Sequence, residues 1–175
     1  MLVNYHPDAS ITYRDLGLNT IPYIDATWIQ AKFTPPEQSE LATAIELSDH
    51  LIDELFAADY YVVSTPMYNF SIPAVLKSYL DRIIRPRRTF TVSANGFQGL
   101  VTPKKMLVIT ATSRDFRPGS DLAASDFQEP FLRTAFNFIG ITEIEFVNAN
   151  GLKTELREQS LVEARDQLEA LAINW

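Results

Sequence analysis

The chain contains no cysteine, which excludes disulfide frameworks, thiolate metal sites and cysteine nucleophiles together. Glycine is scarce, six in all with none adjacent to another, so no Walker or dinucleotide-binding glycine motif can be assembled. No apolar run approaches the ~20 residues of a membrane-spanning helix. The N-terminus also lacks a basic region followed by an apolar stretch and a small-residue cleavage site. Only two histidines occur, His6 and His50, on a terminal segment and a polar helix face, which argues against a metal site or a nucleophile–base pair. Basic residues are outnumbered, 15 Lys plus Arg against 22 Asp plus Glu, and the net charge of −7 opposes a nucleic-acid partner. The expectation is a soluble, cytoplasmic protein with neither nucleic acid nor membrane as partner.

What is present is a chain of 175 residues, 46% of them apolar, enough for one domain spanning 1–175 with a sizeable core. Ser10 to Leu16 mixes β-branched and polar residues ahead of Gly17, Asn19 and Pro22, which predicts a short strand entering a long loop to about Glu37. Leu41 to Ala58 places apolar residues at three-to-four spacing and predicts an amphipathic helix. Tyr60-Tyr61-Val62-Val63 predicts a strand covered on both faces and ended by Pro66. Pro73 suits the first turn of a helix whose stripe is Val75, Leu76, Tyr79, Leu80, Ile83 and Ile84, stopping before Pro86. Met106 to Ala111 repeats the buried-strand pattern, and Ile141 to Val147 reads as a strand nearer an edge, with Glu143 and Glu145 on one face. Asp126 followed by Glu129 marks the start of a helix through Phe131, Leu132 and Phe136, and a last helix runs near Thr154 to Ala172. Strands alternating with amphipathic helices define a doubly wound α/β class, in which ligands bind beyond the carboxyl ends of the strands. The residues after Val63 and Ile109 therefore carry the functional interest.

The segment Thr65-Pro66-Met67-Tyr68-Asn69-Phe70-Ser71-Ile72-Pro73 contains no acid or base. A turn followed by a helix start offers free backbone N–H groups, and Met and aromatic side chains can cover the faces of a planar ligand. The alternative is an ordinary strand-to-helix connection whose aromatics complete the core. This run, with Leu76-Lys77 and Asp81, resembles the flavin-ring loop of FMN-dependent NADH azoreductases and NADH:quinone oxidoreductases. Arg14-Asp15-Leu16, Ala58-Asp59, Thr89-Phe90, Asn95-Gly96, Gly99-Leu100, Lys104-Lys105, Phe138-Ile139-Gly140-Ile141 and Gly151-Leu152 resemble the same family.

The resemblance implies a three-layer α/β/α flavodoxin-like fold with a mostly parallel sheet. It implies FMN as cofactor, NADH as electron donor, and quinones or azo compounds as small aromatic acceptors. It further implies a homodimer with active sites at the subunit interface, in which the flavin rather than a catalytic residue carries the chemistry. The implied cofactor-binding residues are Pro66, Met67, Tyr68, Asn69 and Phe70, with Ser113 and Arg114 in the second loop. Phe90 and Phe116 are candidate walls of an acceptor pocket, or core residues at the sheet edge. Arg82, Arg85, Arg87 and Arg88 either complement a helix C-terminus or dock a nicotinamide phosphate. Trp28 and Phe33 form a lid over a partner's pocket or a local core.

Two departures from the family pattern are visible. Family members open with a strand, a Ser-rich phosphate loop and a helix, whereas only residues 1–9 precede the strand expected at Ser10. In the order 2-1-3-4-5 that first strand lies inside the sheet, and its absence would leave a gap of about 9.5 Å. The expectation is a fragment of a longer product, a strand supplied from elsewhere, or a rearranged N-terminal segment. The second departure is Ala111-Thr112-Ser113-Arg114-Asp115, which has no glycine where the family has a glycine pair. The alternative function is accordingly a truncated or remodelled non-catalytic dimer with weak or no FMN binding.

Overall fold

The computed structural model describes residues 5–34, 41–94, 96–102 and 104–174. The expected loop end near Glu37, Asn95 and most of the Met1–Tyr5 segment lie outside them.

Three parallel strands form the sheet: β1 (Tyr60–Pro66), β4 (Lys105–Ala111) and β5 (Glu143–Ala149), in the order β1-β4-β5. A separate antiparallel hairpin joins β2 (Phe90–Ser93) to β3 (Gly96–Gly99). The helices are α1 (Ala26–Phe33), α2 (Ala42–Ala57), α3 (Ala74–Ile83), α4 (Gln128–Ile139) and α5 (Arg157–Asn174). One face of the sheet presents Met106, Val108, Ile144 and Phe146 to a single core with Leu51, Ile52, Leu55, Leu76, Leu80, Ile83, Leu132, Phe136 and Ile139 of α2, α3 and α4. Side chains alternate across a strand. Leu107 and Val147, also buried, accordingly belong to the opposite face, where Gln167 of α5 donates to the Phe146 carbonyl (3.2 Å). The result is the expected α/β/α layering.

The helix boundaries follow local chemistry. Pro73 stands at the N-cap of α3, where its missing N–H removes nothing the helix needs. The Asp126 carboxylate accepts from the N–H groups of Gln128 (2.8 Å) and Glu129 (3.1 Å), capping the start of α4. Gly140 ends α4 at φ +110°.

Three expectations are corrected. Ser10 to Leu16 is not a strand: it runs as irregular chain into a turn where the Asp15 carboxylate accepts from Gly17 and Leu18 N–H, and Arg14 pairs with Glu54 of α2. A strand needs a neighbour to bond, and among the described residues none lies beyond β1. Among the described residues β1 is therefore the first strand of the sheet, with no gap between its strands. The strand at Tyr60 is not covered on both faces, because Val62 is 49% exposed while Tyr61 and Val63 pack on the core. The long loop holds α1, capped by Asp25, whose side chain accepts from Trp28 N–H.

The arginine cluster is structural glue. Arg82 donates to the carbonyls of Pro22 (3.1 Å) and Tyr23 (3.3 Å) and lies over the ring of buried Trp28. Arg85 reaches Ser48 (3.1 Å) and Asp49, and Arg88 bridges Asp49 and Asp53. Burial lowers the pKa of both Arg82 and Arg85. Trp28 is therefore local core, whereas Phe33 stays exposed.

The Tyr79 hydroxyl is pushed up to about 12, chiefly by burial, with Arg14 opposing and Glu54 adding to the rise. Burial likewise raises Tyr61, whose hydroxyl donates to the Leu55 carbonyl. A folded value above the unfolded one means that the stabilisation is complete below the unfolded value of about 10 and is lost as pH rises toward the folded value. Urea midpoints should fall between about pH 10 and 12, and Tyr79→Phe should flatten that decline. An unchanged slope in the variant would refute the assignment.

Candidate functional site

The carboxyl ends of β1 and β4 stand side by side, with Pro66 opposite Ala111. The Met67 N–H extends this pairing by donating to the Ala111 carbonyl (2.9 Å). The two loops named from the sequence, 67–73 and 112–116, are thereby brought together at the position where a parallel sheet binds ligands.

The first loop is a two-residue turn. Tyr68 N–H donates to Ser71 C=O (2.9 Å) and Ser71 N–H returns to Tyr68 C=O (3.1 Å). Asn69 (φ +46°) and Phe70 (φ +72°) at its tip both lie in the left-handed region. Left-handed backbone is costly for a non-glycine residue, and for phenylalanine it is uncommon enough to mark a functional position. Two contacts from the start of α4 hold the turn and its approach: the Gln128 side chain donates to the carbonyl of Pro66 at the end of β1 (2.8 Å), and the N–H of Phe127, the residue before the helix, donates to Phe70 C=O in the turn (3.0 Å).

The second loop is held just as firmly from below. Thr112, Ser113 and Arg114 give their carbonyls to the N–H groups of Leu152 (2.9 Å), Lys153 (3.1 Å) and Gly151 (2.9 Å). Phe116 N–H donates to the side-chain oxygen of buried Asn150 (3.2 Å), and the Asn150 backbone N–H donates to Ser160 Oγ (2.8 Å). A bidentate pair with Arg117, both contacts 2.9 Å, holds the Asp115 carboxyl below the usual carboxylate range. The loop itself does without glycine.

One pattern emerges from both loops. Their carbonyls are largely consumed, while the N–H groups of Asn69, Phe70, Ser113, Arg114 and Asp115 have no bonding partner among the described residues. The two loops at the carboxyl ends of β1 and β4 therefore carry unbonded donors, which suit a flat ligand rich in acceptor atoms.

Phe116 is nearly buried and meets Phe70 edge-on, ring centroids 6.3 Å apart at 73°. Phe90 is not brought to the turn. It packs with Phe138 (4.7 Å) and Phe97 (6.1 Å) at the C-terminal end of α4, whereas the turn lies at its N-terminal end, roughly 15 Å away along the helix. An open groove of about 480 Å³ lined by Tyr68, Asn69, Ser71, Ile72, Lys77 and Phe131 lies beside the same turn. None of residues 111–116 lines it, so it does not reach the second loop. Gln128 and Asn150 were absent from the sequence expectations. Their one local sign is a polar residue next to a helix cap or strand end.

A doubly wound sheet with donor-lined loops at its carboxyl edge defines the flavodoxin-like class of α/β proteins, and comparison with known proteins agrees. Residues 2–172 match the flavodoxin-like fold family. The FMN-dependent NADH:quinone oxidoreductase of Nostoc punctiforme is 51% identical over 173 residues, covering 97% of this chain and 84% of that protein. The protein of the same description from Nostoc sp. is 48% identical over 175 residues, with the same coverage. An FMN-dependent NADH-azoreductase from Bacillus anthracis, solved in complex with FMN, superposes with a TM-score of 0.81 at 27% identity, covering 91% of this chain and 78% of that one. Azoreductase AzrA superposes at 0.92 with 24% identity over 99% of this chain and 86% of that one, a likeness of fold. The chain belongs to the family of FMN-dependent NADH:quinone oxidoreductases.

Proposed function

We propose that this chain is an FMN-dependent oxidoreductase that takes electrons from NADH and delivers them in pairs to quinones or azo compounds. The observation that carries the reading is the set of N–H groups at Asn69, Phe70 and Ser113 to Asp115, unbonded among the described residues, in the two loops that follow β1 and β4. The pyrimidine end of a flavin ring is rich in carbonyl and nitrogen acceptors, and this donor set fits it. FMN, when bound, would supply hydride acceptance from the nicotinamide and two-electron delivery to the acceptor. The chain's own residues supply the rest. Asn69 and Phe70 hold the ring edge, with Pro66 and Met67 shaping the approach to the turn. Ser113 and Arg114 donate from the second loop. Phe70 and Phe116 form an apolar wall that excludes water from one side.

Exposed apolar side chains around the turn, Tyr68, Phe70 and Phe127, support assembly as a homodimer with the site at the interface. Net charge and composition support a cytoplasmic enzyme.

Titration with FMN should quench flavin fluorescence stoichiometrically. The loaded protein should oxidise NADH in proportion to added benzoquinone, and sedimentation should give a dimer. A protein that neither retains flavin nor turns over would favour the non-catalytic alternative.

A further inference from the structure

We propose that Gln128, acting with the backbone amide of Phe127, is the positioning residue that holds the 68–71 turn in its left-handed form and thereby sets the donor groups that meet the cofactor ring. The inference rests on the flavin reading above. Asn69 at φ +46° adopts left-handed backbone readily, but a phenylalanine at φ +72° holds it only where its surroundings enforce it. The Tyr68–Ser71 bonds are internal to the turn and cannot fix its orientation on the sheet. Beyond the Met67–Ala111 bond that continues β1, the fixing bonds come from the start of α4: Phe127 N–H holds the turn itself at Phe70 C=O, and Gln128 holds the end of β1 just before it at Pro66 C=O, which also accepts from the Thr65 hydroxyl (3.3 Å).

Gln128 is only 1% exposed, unusual for a side chain that water solvates well. Its burial is explained by the 2.8 Å bond to Pro66 C=O, across 62 positions of sequence. Asp126 completes the device. By accepting from the N–H groups of Gln128 and Glu129 it fixes the start of the helix, and the preceding N–H, that of Phe127, is free to donate to Phe70. With these two carbonyls engaged by α4, neither opposes the acceptor atoms of a ring.

The test uses the full chain with and without FMN. In Gln128→Leu, amide exchange at Tyr68, Ser71 and Phe127 of the FMN-free protein should accelerate about tenfold or more, and the FMN Kd should rise on the order of tenfold, the effect of losing the bond that ties the start of α4 to the end of β1 just before the turn. Gln128→Glu keeps the side chain's size but donates only when protonated. Its FMN affinity should approach the parent's as pH falls from about 7 to 5, while the parent's stays flat. If Gln128→Leu does not fold, the pH profile of Gln128→Glu decides. Unchanged exchange and parental FMN affinity in Gln128→Leu, or a flat profile in Gln128→Glu, would overturn the proposal. A parent that binds no FMN would refute the flavin reading instead, and exchange in the FMN-free protein would still report whether the clamp exists.

Discussion

Gly99→Ala is expected to destabilise the protein by on the order of 4 kcal/mol, lowering the urea midpoint so far that the variant is partly unfolded at 37 °C. A Cβ built on Gly99 would lie 2.2 Å from the Gly140 nitrogen, 2.3 Å from the Ile139 carbonyl carbon and 2.5 Å from the Gly140 Cα. All three are backbone atoms, so no rotamer change relieves the collision. Gly140 cannot retreat, because it caps α4 at φ +110°, and Val101 N–H donates to Ile139 C=O (2.9 Å) in the same contact. The end of the hairpin and the end of α4 are thus joined backbone to backbone. Gly119→Ala provides the comparison: φ is +91° there, but nothing lies within 4 Å of the added Cβ. That variant carries backbone strain alone and should lose about 1 kcal/mol. Equal urea midpoints for the two would refute the close-packing account.

The Gly99–Gly140 contact shows how sequence reading and structure divide. Gly99-Leu100 and Phe138-Ile139-Gly140-Ile141 were each recognisable as family segments, but nothing local says that one glycine leaves room for the other. The sheet was legible because β-branched runs at Tyr60, Met106 and Glu143 need only their own composition to declare a strand. The hairpin was missed as structure: its strands are four residues each, too short for periodicity to register. Ser10 to Leu16 fails in the opposite sense. Its composition permits a strand, but strand formation depends on a neighbour, and that is a property of the sheet rather than of the segment.

The site divides along the same line. Pro66 to Phe70 was singled out by its resemblance to the family's flavin-ring loop, since its residue types alone also fit an ordinary strand-to-helix connection. Gln128 and Asn150 act through contacts that span 62 and 34 positions, and as isolated letters they look like surface residues. The arginines stand where the helix-terminus reading put them, but their partners were not legible for a related reason. The helix dipole rewards a cation at a C-terminus, but Arg82 and Arg85 are buried there because the carbonyls of Pro22 and Tyr23 and the side chains of Ser48 and Asp49 receive them.

Asn69→Pro is expected to weaken FMN binding at least about a hundredfold, equivalent to about 2.7 kcal/mol. Proline fixes φ near −65°, and Asn69 sits at +46°, so the substitution removes both the turn's geometry and one of its donor N–H groups. The damage should remain local, because Asn69 is exposed and its N–H bonds no other residue among those described. The thermal midpoint should therefore shift far less than in Gly99→Ala. Asn69→Gly separates backbone from side chain. Glycine enters positive φ without penalty and keeps the N–H, so this variant should bind FMN within about threefold of the parent if the main chain makes the contact. Fluorescence titration of both variants decides the matter. If Asn69→Gly falls as far as Asn69→Pro, the carboxamide rather than the backbone meets the ring. If neither moves, the 68–71 turn is not where the flavin lies, and the left-handed pair at Asn69 and Phe70 serves the fold alone.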